Sequence, residues 1–73
     1  MHKIPILKPR QVIKKFKKLG FIKDRQSGSH VILYRFHDKK RAVIPMHVKD
    51  LAPGTLRAIL RQTGISENEF INS

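Results

Sequence analysis

The stretch HVILYRFH, residues 30–37, constrains this chain most. It is rich in β-branched and aromatic residues, which suit a pleated surface. A second such run, RAVIPMH at 41–47, follows after only the polar turn Asp38-Lys39-Lys40. A link that short cannot carry a parallel crossover, so the two runs form an antiparallel hairpin. Pro45 has no N–H for the ladder, which puts the second strand at a sheet edge.

The flanks complete the layout. Residues 9–19, PRQVIKKFKKL, place Val12, Ile13, Phe16 and Leu19 on one helical stripe. Pro9 suits the first helical turn and Gly20 the position just past the end. Residues 21–26 read as a shorter and weaker strand. Residues 53–63, PGTLRAILRQT, form a second helix with Leu56, Ile59 and Leu60 on one face, stopped by Gly64. Ser66 and Glu69 have capping-box spacing for a last short turn of helix. The order α-β-β-β-α predicts an α+β two-layer sandwich: a three-stranded antiparallel sheet with helices packed on one face.

At 73 residues the chain makes a single domain, 1–73, with a small core. It has no cysteine, which excludes a disulfide-stapled scaffold and a Cys-based zinc site and fits a reducing compartment. It has no run of eighteen apolar residues to span a membrane. Residues 1–7, MHKIPIL, are too short and too broken by Pro5 for a signal peptide, so the cytoplasm is the expected location. Sixteen Lys and Arg stand against five acidic residues, a net charge of +11. That excess points to nucleic acid, an anionic membrane or an acidic protein as partner. The cations run along the whole length, as on a folded positive face rather than a basic tail.

Gly28-Ser29-His30 is the chemical landmark. Glycine takes backbone angles denied to other residues, and here it delivers an imidazole to the start of a strand. Histidine is the side-chain type that exchanges protons near neutrality. If Phe36 pairs with Arg41, His30 faces His47 across the hairpin. If His37 pairs with Arg41, His30 faces Val48 and His47 points to the other side. The apolar pattern does not choose between these registers. A turn at 27–29 sets Gln26 beside His30, so in either register one end of the sheet collects Gln26, Ser29, His30 and His47, with Arg25 and Lys49 close in sequence.

Such a corner suits RNA cleavage. Attack of a ribose 2′-OH on its own phosphate needs a base, an acid for the leaving 5′-oxygen, and positive charge for the phosphate. No carboxylate pair of the kind a magnesium nuclease uses is visible: Asp24, Asp38 and Asp50 are scattered, and Glu67 and Glu69 lie near the end. No HxxxH or HxH spacing suggests a metal, and no cofactor is expected.

Each signal has a blander alternative. His30 can be an ordinary strand histidine. His47 can bond a main-chain carbonyl beside the next helix instead of moving protons. His2 near the terminus and His37 at the turn read as surface residues. Tyr34 and Phe36 are core residues or, on an open sheet face, stack bases. Arg25, Arg41 and Lys49 are candidate RNA-binding cations. Lys14 and Lys18 of the first helix either track a phosphate backbone or face solvent.

Three ordered features resemble the HicA-type toxins of toxin–antitoxin systems. They are Leu19-Gly20-Phe21 at the end of a helix, Gly28-Ser29-His30, and Pro45-Met46-His47 ahead of the run from Leu51 to Ile65. The likeness covers residues 9–70 and leaves 1–7 as an N-terminal extension. It implies a fold similar to a double-stranded-RNA-binding domain. It also implies a metal-independent mRNA interferase with His30 catalytic, and Gly28, Ser29 and His47 supporting. It further implies a HicB-type antitoxin that covers the site, with any homo-oligomer expected only through that complex. Lys8 departs from the family's better N-caps, so a less firm start to the first helix is expected. A non-catalytic RNA-binding module is the alternative function.

Overall fold

The structure is a computed structural model that describes residues 4–73. The elements run α1 (Pro9–Lys18), β1 (Ile22–Ser27), β2 (His30–Arg35), β3 (Lys40–Pro45), α2 (Pro53–Thr63) and α3 (Glu67–Ile71). The strands form one antiparallel sheet in the order β1-β2-β3. This is the α+β arrangement the sequence predicts. No helix among the described residues is long and apolar enough to cross a membrane. His2 lies outside the described residues.

Alternation along β2 and β3 separates two faces. Val31, Leu33, Ala42 and Ile44 enter a core with Val12 and Phe16 of α1, Leu56, Ile59 and Leu60 of α2, and Phe70 of α3. Phe16 sits between Phe21 and Phe70, with ring centroids 5.0 and 5.3 Å away. The helices thus cover one side of the sheet, and among the described residues no helix or strand layer covers the other, where Ile32 alone is buried. β1 has no buried residue of its own and is held by its pairing with β2. That explains why its sequence carries so weak a strand signal: no apolar alternation is needed there.

The caps are local. Gly64 closes α2 in the left-handed region (φ 77°), and the buried Thr63 hydroxyl donates to the Leu60 carbonyl and accepts from the Ile65 amide. Ser66 caps α3 by accepting from the Glu69 amide at 3.0 Å, as its spacing predicts. The start of α1 is firmer than Lys8 suggests. The Gln11 side-chain oxygen accepts from the Lys8 amide at 2.8 Å and the Gln11 backbone amide donates to the Lys8 carbonyl at 2.9 Å, so two bonds fix the cap residue's backbone although its side chain caps no amide. Ile4 is buried in the core, and Leu7 bridges Leu51 through the Leu51 amide. Residues 4–7 therefore belong to the folded unit.

The hairpin register differs from both alternatives read from sequence. His30 pairs with Pro45 and Tyr34 with Arg41. The cause is the loop. β2 stops at Arg35, whose guanidinium donates twice to Asp38, at 3.0 Å from Nε and 2.6 Å from Nη2. This pair closes a four-residue loop over residues 36–39, one residue earlier than the loop that pairing Phe36 with Arg41 would leave, with Lys39 at φ 56°. β3 ends at Pro45, which leaves His47 in the bend that follows.

Candidate functional site

The site begins with a two-residue hairpin turn. Ser27 pairs with His30, leaving Gly28 and Ser29 at the tip. Gly28 has φ 58°, while Ser29 does not enter positive φ. Positive φ at the first central position alone fits a type II′ turn, which matches the twist of the joined strands and favours glycine there. A Cβ on Gly28 would meet nothing within 4 Å, so the need for glycine is torsional. This turn also corrects the placement of Gln26. That residue pairs with Val31, hence on the core side of the sheet, and its side-chain amide donates to the Gly28 carbonyl at 3.4 Å. It is not beside His30, because the turn holds two residues rather than three.

Past β3 the ladder takes one more step. The Met46 amide donates to the Ser29 carbonyl at 2.6 Å. Pro45 cannot donate, so Met46 is the first residue able to tie this segment to the turn. The chain then bends, and the His47 ring comes to rest 6.2 Å from the His30 ring, centroid to centroid, with planes 63° apart. Both residues are exposed, and neither ring is engaged in a hydrogen bond among the described residues. The main-chain carbonyl bond considered for His47 is therefore not formed.

His30 lies on the uncovered face. Residues in register share a face, so three cross-strand rows follow: Ser27–His30–Pro45, Arg25–Ile32–Val43 and Ile22–Tyr34–Arg41. These rows carry two arginines and no carboxylate. Arg25 is one row from His30, and Arg41 is at the far end. Lys49 is exposed in the bend after His47. A cleft of about 320 Å³ joins that bend to the start of α1 and is lined by Lys8, Pro9, Arg10, Gln11, Met46, Val48 and Lys49. Lys8 and Arg10 thus stand near the His47 segment, which sequence reading missed. The signal was a helix start carrying two cations and no acidic residue.

Lys14 and Lys18 are exposed on α1, in the layer behind the sheet, and are not brought to His30. Their neighbour Lys15 is engaged differently: its ammonium donates to the carbonyls of Ile71 and Ser73, at 3.2 and 3.3 Å. His37 is exposed in the 36–39 loop. Among the described residues no three His, Cys, Asp or Glu side chains gather as a metal-ligand set.

The family model for the HicA toxin of bacterial toxin–antitoxin systems matches residues 9–65, from the first residue of α1 to the residue after Gly64. No curated protein matches the chain.

Proposed function

The chain belongs to the HicA toxin family, the toxin half of a toxin–antitoxin system, and from that premise we propose that it is an endoribonuclease cutting mRNA at His30. The observation that carries the reading is the His30–His47 pair, exposed and 6.2 Å apart on a corner with basic neighbours. A group hydrogen-bonded to one ring at roughly 3 Å lies within reach of the other.

In this reading the RNA strand crosses the sheet corner with one phosphodiester between the rings. One imidazole accepts the proton of the ribose 2′-OH as the 2′-oxygen bonds to phosphorus. The bond from phosphorus to the 5′-oxygen breaks, and a proton from the second imidazole goes to that oxygen. The products are a 2′,3′-cyclic phosphate and a 5′-hydroxyl. His30 takes one of these proton roles and His47 the other. Gly28 and the Ser29 carbonyl hold the two histidine segments together. Arg25 and Lys49 supply charge for the phosphate. Arg41, Lys14 and Lys18 add long-range attraction, which weakens as salt rises. The reaction uses no metal, proceeds in the cytoplasm, and stops when a HicB-type antitoxin covers the corner.

The test is incubation with single-stranded RNA in EDTA, beside a His30→Ala protein. Wild type is expected to leave cyclic-phosphate ends, and the variant to lose at least about a hundredfold in rate. Equal inertness of the two proteins, or a demand for magnesium, overturns the proposal. RNA bound tightly but left intact by wild type identifies the non-catalytic binding module instead.

A further inference from the structure

We propose that Tyr34 and Phe36 form a stacking platform for one base of the RNA strand, away from the cut bond, and so help to set where the strand is cut. This rests on the ribonucleolytic reading of the His30 corner and adds a specificity determinant to it.

The placement of the aromatics is the first argument. Phe16, Phe21 and Phe70 pack together in the core. Tyr34 and Phe36 are outside it, and Phe36 is 68% exposed. Their centroids are 4.9 Å apart with planes 80° apart. An edge-to-face pair occupies one face of one ring, so ring area remains for a third aromatic system. Tyr34 also steadies Phe36, which reduces the side-chain ordering that a ligand must impose.

The second argument is continuity with the corner. His30, Ile32 and Tyr34 alternate onto the same face of β2. Four residues of strand separate His30 from Tyr34 by about 13 Å. A base on the platform therefore belongs to a nucleotide further along than the one at His30. In the row between, Ile32 is buried and Val43, 36% exposed, gives the apolar surface.

Charge selects the occupant. Arg41 is in register with Tyr34 and Arg25 with Ile32, and the three rows hold no carboxylate. A second copy docked by a twofold axis would set arginine-bearing rows against each other, whereas a polyanion with aromatic bases satisfies both features. Stacking tolerates any base but gains with ring area, so a purine is preferred at this nucleotide.

The experiment uses the full chain and short single-stranded RNAs carrying an abasic residue at each position in turn. Binding is read by fluorescence anisotropy on His30→Ala proteins, where the strand stays intact, and cleavage on proteins with His30 present. Phe36→Ala is expected to raise Kd and KM about tenfold with kcat changed less than about twofold. Phe36→Trp is expected to restore both. The melting temperature is expected to stay put, because Phe36 is exposed. On one abasic strand the difference between Phe36→Ala and its parent is expected to vanish, since the variant and the missing base remove the same contact. Unchanged Kd and KM in Phe36→Ala overturn the platform while leaving the cleavage reading intact. So does a loss of equal size on every abasic strand. A Phe36→Ala protein that loses self-association or antitoxin affinity, with RNA binding untouched, overturns it in favour of a protein interface. Wild type that binds RNA without cutting sinks only the cleavage reading, and Kd then decides the platform. Wild type that does not bind RNA sinks both.

Discussion

The Ser29 carbonyl accepts a 2.6 Å hydrogen bond from the Met46 amide. That bond ties the turn before His30 to the segment that carries His47. It joins two stretches of chain separated by the whole β2–β3 hairpin. The contribution of Ser29 is thus made by its backbone. Ser29→Ala is expected to change stability by no more than about 0.5 kcal/mol and to leave RNA cleavage nearly as it is. Denaturation curves and initial cleavage rates check this, and a large loss of rate assigns a role to the hydroxyl.

Gly28→Ala is expected to do more. Its φ of 58° costs a side-chain-bearing residue about 1 kcal/mol, although the added methyl meets nothing. In a domain of this size that lowers Tm by roughly 4–8 °C. Activity is expected to fall further than stability alone explains, because the turn aims His30. A comparison of Tm with the cleavage rate well below Tm separates the two effects.

His47→Gln tests the proposal that His47 is the second proton group. The replacement retains polar character and removes ionisation. The rate is expected to drop about a hundredfold with Tm unchanged, and a two-limbed pH–rate profile is expected to lose one limb. A fall in Tm with the profile's shape preserved would mark His47 as a structural residue.

Asp38 predicts an acid-sensitive loop. The Arg35 hydrogen bonds hold its carboxyl well below the usual range, from 3.8 to about 2. A carboxyl lowered on folding adds stability that is complete above its unfolded value and is lost as pH falls through its folded value. The loop is therefore expected to loosen only as pH drops from about 4 towards 2. In Arg35→Ala the Asp38 carboxyl is expected to titrate near its ordinary value, as read by NMR, and the acid limb of stability to shrink.

Ile4→Ala tests whether the N-terminal segment is part of the core. Ile4 is 6% exposed among core residues. The truncation is expected to cost about 2 kcal/mol, lowering Tm by roughly 10 °C. An unchanged Tm would mean that the Leu7–Leu51 bridge, without Ile4, suffices to seat the segment.

Much of the site is legible in the amino-acid order because its determinants are local. The glycine turn, the strand after it and the proline that ends β3 all act within a few residues. Gln26 was misplaced because whether the turn held two residues or three depends on how β1 pairs. Lys8 and Arg10 were missed for a different reason. They reach the His47 bend only when α1 docks on the sheet, and no short-range pattern reports that docking.

The order of residues alone determined the kinds of elements, their sequence along the chain and the faces that become core, since period and turn chemistry are read over a handful of neighbours. Tertiary structure decided the pairing of His30 with Pro45 and the approach of His47 to His30. Both follow from where the loop sits. The Arg35–Asp38 pair closes a four-residue loop one residue earlier in the chain than the first sequence register places it, and this moves each pairing by two residues. A shift of two keeps every side chain on its face, so the two histidines still meet.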